Sequence, residues 1–145
     1  MNYKMVCRFM AQMLTIESVF MIPALIISLC GGETAAVRGF LMTLVLMLLT
    51  ELILFAIGRK APDDFYAKEG MVCVGLSWIV LSLVGCLPFF FSREIPSYID
   101  AFFETVSGFT TTGSSILANV ECLPKGILYW RSFTHWVGGM GVLVF

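Results

Sequence analysis

Charged side chains are scarce in this sequence of 145 residues: 13% are Asp, Glu, Lys or Arg, whereas 59% are hydrophobic. A soluble domain has about 25% charged and about 45–50% apolar residues. The net charge is −1, and the sequence contains no basic cluster or long charged run. The shortage of charge excludes an ordinary soluble domain and gives no basis for binding nucleic acid. We therefore predict an integral membrane protein in contact with lipid.

Histidine and paired cysteines are also lacking. His135 is the one histidine, and no two cysteines form a CxxC pair. Their odd number argues against a disulfide framework, and a lone histidine does not make a zinc site. Because no nucleophile–base pair or phosphate-binding loop occurs either, we predict neither an enzyme nor a bound cofactor. The cysteines are predicted to be free thiols that pack as small hydrophobic residues. They are Cys7, Cys30, Cys73, Cys86 and Cys122.

Long apolar segments, in contrast, are abundant. A membrane-spanning helix needs about 20 apolar residues. Three segments meet this length, namely Phe9–Cys30, Gly39–Ile57 and Gly70–Phe91, and a fourth runs from Gly126 to Phe145. The first is too long, and too polar at Glu17, for a signal peptide. The predicted fold class is an all-α integral membrane protein.

The cations in the connecting segments predict the orientation. One set flanks the first span or lies between the second and third: Lys4, Arg8, Arg59, Lys60 and Lys68. Fewer cations lie on the other side, at Arg38, Arg93 and Lys125. Because Lys and Arg are enriched in cytoplasmic loops, the N-terminus is predicted to be cytoplasmic. Ala61–Asp64 is then an inner loop, in which Asp64 or a neighbour caps a short interfacial helix.

The segment Asp100–Ser115, DAFFETVSGFTTTGSS, lies between two apolar segments. Ser97 is a suitable N-cap for a short helix, and the chain is expected to leave that helix near Gly108. Such a helix is too short to cross a bilayer. Polar, non-helical backbone at membrane depth is tolerated only inside protein or beside a watery cavity. The segment therefore predicts a re-entrant pore loop, and an ordinary external turn remains the alternative.

The sequence Thr110, Thr111, Thr112, Gly113 has the properties of a cation filter. Backbone carbonyls can replace the hydration shell of a potassium ion. The β-branched threonines favour extended backbone, and Gly113 can adopt a positive φ angle. Their backbone carbonyls are therefore candidate cation ligands. The nearby helix would direct its negative carbonyl end towards the ion.

Several other polar residues have open interpretations. Glu17 and Glu51 lie within apolar segments, where a transport role competes with a neutral or snorkelling carboxyl group. Glu104 either attracts cations or caps its helix. Arg131 is predicted to brace the pore loop, and His135 to pack or to bond within its helix. Glycines between residues 138 and 141 are expected to let another backbone approach closely.

Two blocks of sequence carry a family resemblance: DAFFETVSGFTTTG and YWRSFTHWVGGMG, the second beginning at Tyr129. Together they resemble the TrkH/KtrB family of bacterial potassium uptake proteins, and the TrkH branch more closely. The resemblance is dense from Asp100 to Phe145 and looser before it. It implies an N-terminal transmembrane helix pair at residues 1–60. Residues 61–145 are then the first helix–pore loop–helix unit, with its second helix truncated.

The resemblance implies a pseudo-fourfold cation channel-like fold built from four such units. Carbonyls at Thr111 and Thr112, with Thr110 and Gly113 adjacent, would line a selectivity filter entered from the periplasmic side. The implied function is potassium uptake across the bacterial inner membrane by a homodimer that binds a cytoplasmic nucleotide-binding regulatory subunit of the TrkA type. Potassium is then the transported substrate rather than a cofactor.

Two departures keep alternatives open. A single filter strand cannot surround an ion, so we expect this chain to be part of a longer one. The second glycine and the tyrosine of the potassium-channel sequence TVGYG are absent, because Ser114 and Ser115 follow Gly113. Fewer carbonyl sites then leave a less selective sodium or monovalent cation pathway as an alternative. A non-conducting membrane scaffold is the other alternative.

Overall fold

The computed structural model describes residues 3–59 and 67–144, which are largely α-helical and contain no strand. This confirms the predicted all-α class. The helices in chain order are α1 (Tyr3–Cys30), α2 (Thr34–Gly58), α3 (Ala67–Gly85), α4 (Leu87–Phe91), α5 (Tyr98–Phe109) and α6 (Lys125–Val144). The predicted inner loop Ala61–Asp64, with its capping role for Asp64, lies outside the described residues.

Three of the four predicted segments are long and apolar enough to cross a membrane: α1, α2 and the combined segment Gly70–Phe91. The fourth predicted segment forms α6, which is not among the membrane-length apolar helices of the described residues. The first two begin earlier than the apolar pattern suggested, because their opening turns contain polar and charged residues that a helix end tolerates. α1 continues through Pro23. The third segment is interrupted at Cys86, where α3 stops and α4 begins with Pro88 in its first turn. Proline suits that position because its missing N–H has no helical partner there.

A tight turn joins α1 and α2 into a hairpin. Gly32 has a φ of +68°, which favours glycine, and the Glu33 N–H donates to the Ser28 carbonyl at 3.0 Å. At the other end of the hairpin, a Cβ on Gly58 would lie 2.9 Å from the backbone nitrogen of Arg8. The glycine therefore lets the two helices meet closely. α1 also packs against α3 and α6, so it lies at the centre of the molecule.

The buried core is continuous across the helices. Its large members are Leu14, Met21, Phe40, Met47, Phe89, Ile127 and Trp130. The Trp130 indole N–H donates to the Gly85 carbonyl at 2.9 Å, which joins α6 to the break between α3 and α4. Much of α2 remains exposed and apolar, with Leu48, Leu49, Leu52 and Ile53 on its surface. Such a surface suits hydrocarbon rather than water.

α5 is the half-length helix that the sequence predicted. It has 12 residues, and its N-cap Ser97 accepts the Asp100 N–H at 3.4 Å. At about 1.5 Å per residue, α5 is about 18 Å long, well short of the roughly 30 Å of a bilayer core. The Tyr98 hydroxyl donates to the Leu83 carbonyl of α3 at 2.9 Å. α5 contacts α3, α4 and α6.

Candidate cation-binding loop

The backbone turns sharply where α5 ends. Thr111 has a φ of +55°, its N–H donates to the Gly108 carbonyl at 3.0 Å, and the Thr112 N–H donates to the Ser107 carbonyl at 3.0 Å. This pair of bonds is a Schellman motif, which usually has glycine at the left-handed position. The predicted extended backbone at Thr110 and Thr111 is therefore wrong. Helix termination overrides the β preference of the threonine side chains.

The loop has a clear hydrogen-bond polarity. The N–H groups of Thr110 to Gly113 all donate to α5 carbonyls, the last at 3.5 Å. Their own carbonyls accept no hydrogen bond from the residues that the structure describes. Residues 110–116 are also exposed. The donors are thus occupied while the oxygens are free, which is the arrangement that a cation needs.

Side-chain hydroxyls fasten this loop to its helix. The Thr110 hydroxyl donates to the Val106 carbonyl at 2.8 Å, and its oxygen lies 2.8 Å from the Thr112 hydroxyl oxygen. The Ser107 hydroxyl donates to the Ser114 carbonyl at 2.5 Å. Gly113 has a φ of +74°, as its predicted role required. The loop conformation is therefore held from both sides of Gly113.

Glu104 is a buried acidic residue that forms several hydrogen bonds behind the loop. Its side chain is 1% exposed, and its carboxylate lies 2.6 Å from the Arg131 Nε. The same carboxylate accepts the Ser115 hydroxyl and the Ile116 N–H, each at 3.0 Å. Neither cation attraction nor helix capping, the two interpretations from sequence, describes this arrangement. Glu104 joins α5, the segment after Gly113 and α6.

Arg131 is linked to the loop that follows α5, but the link runs through Glu104. Its partner lies 27 residues earlier in the chain. No local sequence pattern connects residues at that separation. The available signal was the presence of one acid and one base on two neighbouring apolar elements, where an unpaired charge is costly.

The end of α5 lies deep against α6. A Cβ at Gly138 would overlap the Phe109 carbonyl, and a Cβ at Gly139 would lie 3.9 Å from the Thr111 methyl group. This confirms the predicted close backbone approach at the α6 glycines. From Lys125, where α6 begins, Gly139 is about 21 Å along the helix axis. The Trp78 ring of α3 also lies 6.0 Å from the Phe109 ring. The end of α5 is thus packed between α3 and α6, about 21 Å from the start of α6.

Glu17 and Glu51 lie away from the loop, whereas His135 packs beside Gly108 at the end of α5. The Glu17 carboxylate is buried against Gly85 of α3, behind α5, and has no hydrogen-bond partner among the described residues. Glu51 accepts the Thr15 hydroxyl at 3.3 Å. His135 Nδ1 lies 2.8 Å from the Arg131 carbonyl, which agrees with bonding within its helix. None of the five cysteines, all of which lie among the described residues, forms a disulfide bond.

Membrane-length helices around a half-length helix, with free carbonyls on its terminal turn, have the architecture of membrane cation transport proteins. A family model described as TrkH, cation transport protein, matches residues 36–145. Because this match covers most of the chain, the chain belongs to the TrkH family. The membership predicted from the two sequence blocks is confirmed, as is a multi-pass membrane protein.

Relatives that match along the whole chain agree with this family membership. Over 145 residues the chain is 36% identical to the Trk system potassium uptake protein TrkH of Escherichia coli and 32% identical to that of Halomonas elongata, covering 99% of the chain in each case. The potassium transporter TrkH of Vibrio parahaemolyticus, a crystal structure, matches with a TM-score of 0.89 at 33% identity over 99% of this chain. These relatives are transport proteins rather than enzymes, as predicted.

The chain spans 30% of the length of the two curated relatives and 31% of the crystallised one. The predicted division at residues 60 and 61 falls outside the described residues and stays a prediction.

Proposed function

We propose that this chain takes part in potassium uptake and supplies one strand of a carbonyl-lined selectivity filter at Thr110–Gly113. The observation that carries the proposal is the set of unpaired carbonyls on an exposed turn at the end of a half-length helix. Their position along α6 favours a pore loop over an external turn. The potassium uptake named for the relatives supports the choice of ion.

The mechanism depends on exchanging water for protein oxygens. Carbonyls of Thr111 and Thr112 replace part of the hydration shell, and three companion strands supply the rest. The negative end of α5 lowers the electrostatic energy of a cation at this place. Since the loop N–H groups are bonded to α5, the carbonyls stay available without reorganisation of the backbone. The Glu104–Arg131 pair holds the strand that leaves the filter.

The finer placement of the protein is part of the same proposal. The chain lies in the bacterial inner membrane with a cytoplasmic N-terminus, and ions reach the loop from the periplasmic side. Arg8 and Arg59 support this orientation, because the contact between Gly58 and Arg8 places both cations at one end of the bundle. A homodimer of the complete protein and a nucleotide-binding regulatory subunit of the TrkA type are the proposed partners.

A glycine substitution tests the filter assignment. Gly113 and Gly32 have φ angles of +74° and +68°, and neither has a heavy atom within 4 Å of a built Cβ. Aspartate therefore meets a similar backbone penalty at both positions, but only Gly113 lies in the proposed filter. In the complete protein, produced in cells that lack other potassium uptake, Gly113→Asp should abolish uptake or potassium/sodium discrimination. Gly32→Asp should retain both.

Wild-type discrimination in Gly113→Asp would remove this glycine from the filter. Absence of any cation flux through the wild-type complete protein would instead favour the scaffold alternative. Accessibility of cysteines placed at Thr111–Gly113 gives a second readout, since residues of a pore loop react more slowly with a membrane-impermeant reagent than those of an external turn.

A less selective cation pathway is the second candidate, favoured by one contact. The Ser107 hydroxyl occupies the Ser114 carbonyl, so the run of free carbonyls ends at Gly113. A short run offers fewer dehydrated sites at which potassium and sodium can be distinguished. Competition of sodium with rubidium uptake by the wild-type complete protein separates this candidate from selective potassium uptake.

A further inference from the structure

A cavity of about 770 Å³ lies between the start of α2 and the segment that follows α4. Its apolar walls include Met42 and the rings of Phe90 and Phe91, which lie 5.6 Å apart. The Tyr98 ring supports Phe90 from behind, edge-on at 5.8 Å. The cavity is thus a recess with apolar walls at the predicted outer end of the bundle, and no residue of Thr110–Gly113 lines it.

Two arginines line the same cavity. Arg38 and Arg93 are both exposed, and neither forms an ion pair with any residue in the part of the chain that the structure describes. The Arg38 Nε makes a long hydrogen bond of 3.4 Å to the Thr34 carbonyl of its own helix. Two uncompensated guanidinium groups beside an apolar recess form a surface that complements a molecule with an anionic head and an apolar body.

The backbone at Arg93 is unusual for such a side chain. Its φ is +63°, and its N–H donates to the Phe90 carbonyl at 3.1 Å. Glycine is the residue that ordinarily follows a helix in this conformation. The sequence places arginine there instead, which puts a cation at the edge of the recess at the expense of local backbone preference.

Both arginines lie at one end of membrane-length segments, where lipid headgroups meet a membrane protein. Arg38 is in the first turns of α2, and Arg93 follows directly after the apolar span that ends at Phe91. We propose that this cavity binds an anionic phospholipid. Its phosphate lies between Arg38 and Arg93, and the first carbons of its acyl chains lie against Met42, Phe90 and Phe91. A free phosphate would leave the apolar walls uncovered, so we assign the phospholipid.

The test uses the complete protein in mild detergent and a titration with phosphatidylglycerol followed by native mass spectrometry. A cation near a membrane surface contributes about 1 kcal/mol to binding anionic lipid, or about fivefold in affinity, so Arg38→Gln/Arg93→Gln should weaken the site about 25-fold. Lys125→Gln is the matched control, because Lys125 is an exposed cation at the same end that does not line the cavity. Arg38→Lys/Arg93→Lys should keep most of the binding.

Each other outcome overturns the proposal. Equal retention of phosphatidylglycerol by the wild type and the double glutamine variant would mean that another part of the complete protein fills the cavity. Equal retention of zwitterionic phosphatidylcholine by the wild type would remove the role of charge. Thermal stabilisation by inorganic phosphate that equals stabilisation by the lipid would identify a small-anion site. Since the readout is lipid binding, it is independent of the proposed ion pathway.

Discussion

Among single residues, Glu104 contributes most visibly to the conformation of the loop, through the hydrogen bonds of its carboxylate. It accepts hydrogen bonds from Ser115 and Ile116, which follow the proposed filter sequence, and from Arg131 on α6. Removing charged groups from water costs several kcal/mol per ion, and the attraction within a pair offsets this only while both partners are present. Loss of one partner is therefore more harmful than loss of both.

A double-mutant cycle measures this coupling. Arg131→Gln leaves the Glu104 carboxylate, which is 1% exposed, without its cation and should cost about 3–5 kcal/mol of stability. Glu104→Gln should cost less, because Arg131 is 16% exposed and reaches water more easily. The double variant should recover part of the loss, since two amides can hydrogen-bond. Melting of the complete protein in detergent gives the values.

Lys125→Gln is the control for this cycle, because it removes an exposed cation from the same helix. It should leave the melting temperature close to that of the wild type. Strictly additive losses in the double variant would show that the two side chains act independently.

Local sequence rules predicted some of these residues and not others. The cap at Ser97 and the positive φ at Gly113 follow from residue type and neighbours within a few positions. Thr111 does not, because its left-handed conformation is imposed by helix termination against the preference of a β-branched side chain. The role of Glu104 depends on a partner that only the packing of α5 on α6 brings within reach.

Among the helices, the packing of α5 against α6 determines the position of the turn at the end of α5. A Cβ at Gly138 would overlap the Phe109 carbonyl, whereas a Cβ at Gly139 would make ordinary contact with Thr111. Gly138→Ala should therefore push the two helices apart and impair uptake by the complete protein. Gly139→Ala is the matched control and should keep uptake. Rubidium uptake, normalised to the amount of protein in the membrane, is the measurement.

Similar activity for both alanine variants would show that the close approach at Gly138 is not needed.

The existence and type of the helices were predictable, because long apolar runs and a short capped segment have few other structures in a membrane. Which glycine of the group 138–141 meets which carbonyl was not, since this depends on the rotation of α6 about its axis.

At the scale of the whole molecule, a residue distant in sequence caps the start of α6. Glu33, in the turn between α1 and α2, accepts the N–H groups of Lys125 and Gly126 at 2.6 and 3.2 Å. The carboxylate thus satisfies free donors at the start of α6 and complements the positive end of its dipole. The N-terminal hairpin is thereby joined to α6, the helix that carries Arg131. Sequence alone does not connect residues this far apart.

Removing this cap should loosen the hairpin from the pore unit. Glu33→Ala should cost about 1–2 kcal/mol of stability, as for other lost N-caps. Glu33→Gln keeps an acceptor and should cost less. The measurement is thermal unfolding of the complete protein, followed near neutral pH. Equal melting temperatures for wild type and Glu33→Ala would contradict the capping role.

Glu94 is a second carboxyl group at this end of the molecule, and its substitution should change the melting temperature in the opposite direction from that of Glu33. Burial, and then the nearby charge of Glu33, raise the pKa of Glu94. A raised pKa in the folded state means that the wild type gains stability from this group as pH falls through that pKa. Glu94→Gln should therefore raise the melting temperature near neutral pH, and the difference should vanish at acidic pH, where the wild-type group is protonated.

The bond from Glu33 to α6 joins residues that a ribosome makes at different times. A ribosome makes the hairpin long before residues 125 and 126 leave its exit tunnel. The acceptor is therefore already in place at the membrane surface when the start of α6 arrives with its donors unpaired. The start of α6 therefore meets a carboxylate that can pair its free N–H groups as soon as the two segments come together.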